Sequence, residues 1–199
     1  MDAGEDAMIE TTKGFPLHTE DSAPAESKPI LAGARDAFGA VPALYAVLAE
    51  APEALAAYAD LAGHVAASSL SPAEQQVVFL AAAYENECRY CVAAHTVLGG
   101  ASGLTADQVE ALRAGGPLAE DRLEALRWFA ARVAAGRGWV HEDETTRFLE
   151  AGFTRRHALD VVLGVVTKAL SNYVNHLADT PLDPFMRGAE WTPPREDAA

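Results

Sequence analysis

The sequence predicts an all-α protein with a single core. Three observations support this fold class: alanine is abundant, runs of β-branched residues are short, and apolar residues recur every three or four positions. The chain has 199 residues, the size of one ordinary domain or of two similar halves around one core. Half of the residues are hydrophobic, which is enough for a core to form.

Two capping boxes mark helix starts. In Ser71-Pro72-Ala73-Glu74 the serine caps, the proline suits the first helical position and the glutamate returns the hydrogen bond, which predicts a helix to about Tyr84. Thr105-Ala106-Asp107-Gln108 begins a second helix that should end at Gly115-Gly116-Pro117. The remaining periodic segments predict further helices over about 35–49, 53–67, 88–98, 119–135, 142–151 and 155–178.

Two stretches separated by 83 residues resemble each other. Leu70-Ser71 matches Phe153-Thr154, and Tyr90 matches Tyr173. This similarity indicates an internal duplication of a helical unit. The helix over 154–178 is then the counterpart of the segment that contains the two cysteines.

Within that later helix, Ser171 and Val174 stand where the first copy has Cys88 and Cys91. We therefore expect only the first copy to carry thiol chemistry. Gly164 and the polar group at 171–173 interrupt the apolar pattern, so we expect the long helix to be broken.

Both ends of the chain lack sustained periodicity. Residues 1–28 mix acidic residues with threonine, glycine, proline and serine, and residues 187–199 contain Pro193-Pro194 and a final acidic stretch. We expect a flexible acidic N-terminal tail, an all-α domain over 29–186 and a C-terminal tail.

The chain is strongly acidic. Fifteen basic residues against 29 acidic ones give a formal charge of −14, which disfavours nucleic acid and anionic membrane surfaces as partners. No apolar run approaches the roughly 20 residues that span a bilayer. Acidic residues stand where a signal peptide would be basic. The sequence therefore predicts a soluble, cytoplasmic protein.

The segment 84–95 contains most of the chemical information. Its Cys88-x-x-Cys91-x-x-x-His95 motif holds the chain's only two cysteines. On a helix, residues three apart can form a disulfide that is strained and easily reduced. His95, four residues after Cys91, is placed to take the thiol proton. Asn86 is the expected N-cap, which would place Cys88 in the first turn, where unpaired N–H groups favour a thiolate.

Two other interpretations of the motif remain open. Buried cysteines often serve only as small apolar residues. A structural zinc site is the second alternative, but Cys88, Cys91 and His95 supply three of the usual four ligands and no second pair completes the set. We therefore expect no bound metal.

The motif, together with the Leu-Ser-Pro-x-Glu helix start and the segment Leu170–His176, resembles the alkylhydroperoxidase D-like group of the carboxymuconolactone decarboxylase superfamily. The resemblance covers roughly residues 37–184. It implies an all-helical fold with an internal duplication, homo-oligomers (dimer, trimer or hexamer) and a thiol peroxidase activity on hydroperoxides. Cys91 would attack the peroxide and Cys88 would resolve the sulfenic acid. The cysteine pair argues against the decarboxylase reaction.

The resemblance also implies no cofactor beyond the redox-active disulfide Cys88–Cys91. An external thiol or dithiol, such as a lipoyl group or a thioredoxin-like protein, would reduce it. One position departs from the family pattern: Gln76 stands where the relay glutamate is expected, and an amide does not relay protons. Glu74 and Glu85 are the carboxylates that could replace it, and Glu85, which lies beside the motif, is the favoured candidate.

The leading functional hypothesis is therefore a thiol-dependent peroxidase. The alternative is a non-catalytic redox-sensing or assembly protein on the same scaffold. A metal-binding module is the third hypothesis.

Overall fold

The computed structural model describes residues 9–194. In this part of the chain there are nine α-helices and no β-strand, only an isolated bridge between Glu10 and Pro16. The helices, in chain order, are α1 (Lys28–Phe38), α2 (Ala43–Leu48), α3 (Pro52–Ala66), α4 (Pro72–Glu85), α5 (Arg89–Ala101), α6 (Ala106–Arg113), α7 (Asp121–Ala135), α8 (Glu142–Glu150) and α9 (Arg155–Ala178), and a 3-10 helix follows at Pro184–Met186. The predicted all-α fold class is confirmed.

Local capping chemistry sets several helix starts. Ser71 accepts a hydrogen bond from the backbone N–H of Glu74, and the Glu74 side chain returns one to Ser71. Thr105 begins α6 through the same reciprocal pair. Thr154 begins α9 in this way too, with His157 as the returning side chain. Ser71 and Thr154 are 83 residues apart, so the helices of the two related stretches both begin with a capping box.

The prediction of one helix over 35–49 is wrong. Helix α1 begins seven residues earlier, and Gly39 ends it in the left-handed conformation with φ of 80°. Pro42 then caps α2 in an extended conformation. Glycine adopts a positive φ without steric cost, and the residue before a proline disfavours the helical region, so the chain turns between the two helices.

The prediction of a break in α9 is also wrong, because α9 runs without interruption for 24 residues. A Cβ atom on Gly164 would lie only 2.8 Å from Cγ1 of Val78, so this glycine allows α9 to pack closely against α4. The hydroxyl of Ser171 donates to the carbonyl oxygens of Thr167 and Lys168 in the preceding turn. Its polar group is therefore satisfied inside the helix.

Helix α4 lies at the centre of the molecule and packs against α5, α7 and α9. The side chains at these contacts are inaccessible to solvent, among them Val77, Leu80, Leu126 and Val161. The core therefore fixes α5 and α9, the two helices that hold the candidate site.

None of the helices in the described range is long and apolar enough to cross a membrane.

One face of α9 remains exposed although it is apolar. Leu159, Val162, Val166, Tyr173 and Leu177 each have between 41% and 71% of their surface accessible. Their spacing of three, four or seven residues places them along one side of the helix. We call these five residues the α9 stripe.

The N-terminal segment contacts the helical domain. His18 is buried, and its Nε2 lies 2.7 Å from a carboxylate oxygen of Glu50. Residues 9–27 thus pack onto the domain that we predicted to begin at residue 29. Residues 1–8 of the predicted tail lie outside the described residues.

The described part of the C-terminal segment is also held in place. Trp191 donates from Nε1 to the carbonyl oxygen of Arg113 at 2.8 Å. The guanidinium of Arg113 in turn donates to the backbone of residues 189 and 190. Residues 195–199 lie outside the described range.

Candidate active site

The cysteine motif forms the corner between α4 and α5. Glu87 adopts a left-handed conformation with φ of 55°, which turns the chain. Cys88 is the N-cap of α5, and its sulfur accepts a hydrogen bond from the N–H of Cys91 at 3.4 Å. The prediction of Asn86 as N-cap is therefore wrong by two residues, because Asn86 instead ends α4.

Both cysteines are free thiols and both are buried. Helix α9 supplies polar partners for them. The side-chain amide of Asn175 donates to Sγ of Cys91 at 3.3 Å and more weakly to Sγ of Cys88 at 3.8 Å. The Cys91 thiol contacts the hydroxyl of Ser171 at 3.7 Å. Helix α9 corresponds to the cysteine segment in the internal repeat but has no cysteines of its own. Its polar side chains instead contact Cys88 and Cys91.

His95 lies one turn after Cys91, and both of its ring nitrogens have partners. Nδ1 lies 2.9 Å from Oε1 of Gln76, and Nε2 lies 2.7 Å from Nζ of Lys168. Because an ammonium only donates, Nε2 accepts from Lys168 and the ring proton resides on Nδ1, from which it is donated to Gln76. His95 is therefore a neutral link between a lysine and a glutamine.

Lys168 is the residue that the sequence analysis missed. It is only 2% exposed, and its ammonium lies 5.2 Å from the centroid of the Phe79 ring. Within residues 9–194 it takes part in no ion pair with a carboxylate. Its position seven residues after the buried Val161, on the same helix face, is a signal that could have predicted a buried lysine.

The surroundings of the two thiols shift their pKa values in opposite directions. Burial alone would raise the pKa of Cys91, but a hydrogen bond from Cys88, the positive charge of Lys168 and the hydroxyl of Ser171 lower this pKa to about 5. Burial, followed by the interaction with Cys91, raises the pKa of Cys88 well above its ordinary value. These opposite directions favour the thiolate on Cys91 and the protonated thiol on Cys88.

Burial also lowers the pKa of His95 well below its ordinary value, and the charge of Lys168 lowers it further. His95 therefore stays neutral at physiological pH, as its two hydrogen bonds require. A neutral His95 leaves Lys168 as the cation of this cluster.

A narrow, mainly apolar cavity of about 70 Å³ reaches Cys91. We call it the Cys91 cavity. Its polar lining includes His95 and Lys168, and the half-exposed rings of Phe38 and Phe185 line it as well. An apolar substituent would contact the aromatic lining while a polar group approaches the sulfur.

Cys88 lines a different and larger cleft, of about 600 Å³, which we call the Cys88 cleft. Its walls are about equally polar and apolar, and the polar lining includes Arg89, His176 and Asp179. His176 is exposed there and lies apart from the Cys91 cavity. The two sulfurs are thus approached through separate openings.

The carboxylates considered as substitutes for the relay glutamate point elsewhere. Glu74 caps α4 and binds Arg122, with Oε1 3.0 Å from the guanidinium. Glu85 lines a small cavity with Tyr84 and Pro194. The hydrogen bond from Arg127 to Glu124 is the main cause of the raised pKa of Arg127, and the charge of Glu85 adds to it. The cluster around Cys91 is thus built with an amide and an ammonium. Among the described residues, no group of three His, Cys, Asp or Glu side chains is arranged to hold a metal ion.

The comparisons with known proteins agree with this fold. Residues 52–131 match the carboxymuconolactone decarboxylase family. An uncharacterized peroxidase-related protein from Ralstonia eutropha JMP134, described as an alkylhydroperoxidase AhpD core, superposes with a TM-score of 0.76. It is 23% identical, and the match covers 86% of this chain and 93% of that one.

Two further structures share the fold. A peroxidase-related protein from Silicibacter sp. TM1040 has a TM-score of 0.75 and 21% identity, over 93% of this chain and 98% of that one. A variant of the debrominase Bmp8, in complex with 2,3,4-tribromopyrrole, has a TM-score of 0.74 and 13% identity, over 92% and 97% of the two chains. No curated protein matches the sequence.

The match to the carboxymuconolactone decarboxylase family over residues 52–131 and the shared all-helical fold agree with the resemblance found in the sequence. Because a debrominase has the same fold, the reaction has to be argued from the site itself.

Proposed function

We propose that this protein is a thiol peroxidase that reduces organic hydroperoxides. The observation that carries the proposal is the Cys91 sulfur, whose pKa is lowered to about 5, at the end of a mainly apolar cavity and beside a second thiol. A thiolate is the nucleophilic form of sulfur, and the neighbouring Cys88 is three residues away in the chain. The aromatic lining favours a hydroperoxide with an apolar substituent over hydrogen peroxide.

In the proposed cycle the Cys91 thiolate attacks the distal peroxide oxygen and becomes a sulfenic acid, while the rest of the peroxide leaves as an alcohol. The Cys88 thiol then attacks the oxidised sulfur. Water is released and a disulfide forms between the two residues. An external thiol or dithiol returns the two electrons, and a lipoyl group or a thioredoxin-like protein has the chemistry required. A reducing compartment such as the cytoplasm suits this cycle.

The test is a single-turnover measurement on the fully reduced protein. One equivalent of tert-butyl hydroperoxide should remove both thiols and lower the intact mass by about 2 Da, as expected for one disulfide. Cys91→Ser should consume no peroxide. Cys88→Ser should stop at a sulfenic acid, which dimedone traps as a stable adduct.

Full turnover by Cys91→Ser would contradict the assignment of the attacking thiol. Thiols of the unmodified protein that persist for hours would contradict the peroxidase function itself. Each variant should be compared with the parent for its helical circular dichroism signal, because both cysteines belong to the core.

A redox sensor is the second candidate, and one observation favours it: both sulfurs are almost completely buried, with at most 1% of either residue exposed. A sensor would form the disulfide once and recover slowly. Steady-state peroxide consumption with dithiothreitol as reductant separates the two functions, since only a peroxidase completes many cycles per protein molecule.

A further inference from the structure

A buried lysine needs a negative partner, and the described carboxylates do not provide one for Lys168. Leaving an ammonium unpaired in a protein interior costs several kcal/mol, by order of magnitude, so such charges are ordinarily paired. The positive charge of Lys168 acts on both cysteines and favours their ionised forms. The negative charge that balances it is therefore the thiolate of the cysteine pair.

The other titratable groups that line the cavity with Lys168 are neutral. Burial, followed by the charge of Asp183, raises the pKa of Tyr90 on α5, whose hydroxyl donates to Asp183. His95 on α5 accepts its hydrogen bond and is uncharged. Tyr45 on α2 has a pKa raised to about 12 by burial, and burial likewise raises the pKa of Tyr58 on α3. Helix α4 places Gln76 on His95 and the ring of Phe79 beside Lys168, and neither of these side chains ionises. Within the lining of the Cys91 cavity, Lys168 and Cys91 are therefore the two opposite charges.

Lys168 also lines the cavity that leads to Cys91. A hydroperoxide in this space would contact the sulfur and lie near the ammonium. Attack by the thiolate expels an alkoxide, which is a poor leaving group unless it receives a proton. The family position for a proton-relaying glutamate holds Gln76, which has no proton to give.

We propose that Lys168 is the acid of this site: its ammonium balances the Cys91 thiolate in the resting protein and then gives its proton to the departing alkoxide. The inference rests on the proposed peroxidase function. His95 is a positioning residue in this account. It holds the ammonium through Nε2 and is itself held by Gln76 through Nδ1.

The proposed steps balance. The S–O bond forms as the O–O bond breaks, the sulfur loses two electrons, and the alkoxide leaves as an alcohol with the Lys168 proton. Cys88 then forms the S–S bond, and its proton departs with the hydroxyl group as water. The disulfide carries no charge, and a neutral amine at Lys168 matches it. The external dithiol supplies two electrons and two protons, one for Lys168 and one for Cys88.

The first measurement needs no peroxide. The thiolate absorbance at 240 nm of the reduced protein is followed against pH for the parent, for Lys168→Met and for Lys13→Met, whose lysine is exposed. In the parent and in Lys13→Met the absorbance should rise near pH 5. In Lys168→Met this step should move up by two pH units or more, toward the ordinary thiol range. An unchanged titration would overturn the charge pairing.

The second measurement isolates the proton transfer. Single-turnover thiol oxidation is measured at a pH where the Cys91 thiol of every variant is ionised. The oxidant is first tert-butyl hydroperoxide and then peracetic acid. Loss of the lysine should slow the first reaction at least tenfold and leave the second nearly unchanged, because acetate leaves without a proton. Equal slowing of both reactions would overturn the role as acid.

Lys168→Arg separates the two roles and guards against a folding defect in the methionine variant. A guanidinium keeps the positive charge but does not give up its proton. This variant should retain the low thiolate titration and still react slowly with tert-butyl hydroperoxide. If the parent protein titrates near pH 5 but never reacts with tert-butyl hydroperoxide, the peroxidase function fails together with the acid role, whereas the charge pairing stands.

Discussion

Gln76 holds the histidine of the cysteine motif from the neighbouring helix, with Oε1 2.9 Å from Nδ1 of His95. The two residues are 19 positions apart in the chain. Their contact keeps the ring proton on Nδ1 and turns Nε2 toward Lys168. An uncharged side chain at position 76 thus preserves the full positive charge of the lysine for the thiolate.

Replacing this amide by a carboxylate should make the Cys91 thiolate less stable. In Gln76→Glu the new negative charge would offset the charge of Lys168, so the pKa of Cys91 should rise from about 5. Alkylation by iodoacetamide at pH 6 should then slow at least threefold. Gln108→Glu, on the exposed start of α6, is the matched control. Identical pH profiles for the two variants would contradict this account of Gln76.

Asn175 should contribute to the same low pKa through its hydrogen bond to Cys91. Hydrogen bonds to charged groups contribute about 1.5–3 kcal/mol, and sulfur is a weak acceptor, so Asn175→Leu should raise the pKa of Cys91 by about one unit. Asn175→Asp should raise it further, because a carboxylate repels the thiolate. The 240 nm titration measures both shifts, and a lower pKa in the aspartate variant would refute the argument.

Gly164 should be necessary for the close packing of α9 on α4. A methyl group at this position would lie 2.8 Å from Cγ1 of Val78. Overpacking costs about 1–3 kcal/mol and the better helix propensity of alanine returns about 1 kcal/mol, so Gly164→Ala should lower the free energy of unfolding by about 1 kcal/mol. Urea denaturation measures the change, and Val78→Ala should relieve it in the double variant.

Gly33 in α1 provides the control for this prediction. No atom lies within 4 Å of a Cβ added there. Gly33→Ala should therefore raise the free energy of unfolding by up to about 1 kcal/mol through helix propensity alone. A loss of stability at Gly33 equal to that at Gly164 would show that packing against Val78 is not the cause.

The α9 stripe should lie in contact with a second copy of this chain, as expected of a homo-oligomer. Its five apolar side chains are exposed in the single chain. Val166→Glu, near the middle of the stripe, should reduce the mass measured by light scattering to that of a smaller species. The exposed Leu177 offers a second position for the same change. A monomeric parent protein at every concentration would contradict the prediction.

The features that the sequence predicted correctly are local ones. The capping boxes at Ser71 and Thr105 depend on residues three positions apart, and both helices begin where these pairs predict. The cysteine motif is equally local. Asn86 was assigned as a cap because asparagine favours that role, but the left-handed turn at Glu87 moves the start of α5 to Cys88.

The partners of the motif could not be predicted in the same way. Lys168 lies 73 residues from His95, and Asn175 lies 84 residues from Cys91. These contacts depend on how α9 crosses α5 in the core, which no local pattern encodes. The weak repeat related α9 to the cysteine segment, but it did not predict that side chains of α9 would contact the thiols.

The separate openings of the Cys91 cavity and the Cys88 cleft have a kinetic consequence. An oxidant bound in the first does not occupy the space that leads to the second sulfur. In a peroxidase cycle, oxidant and reductant would then enter through different openings. Neither would block the binding of the other. Double-reciprocal plots should stay parallel up to saturating concentrations of both substrates, without the cross-inhibition that a single entrance would cause.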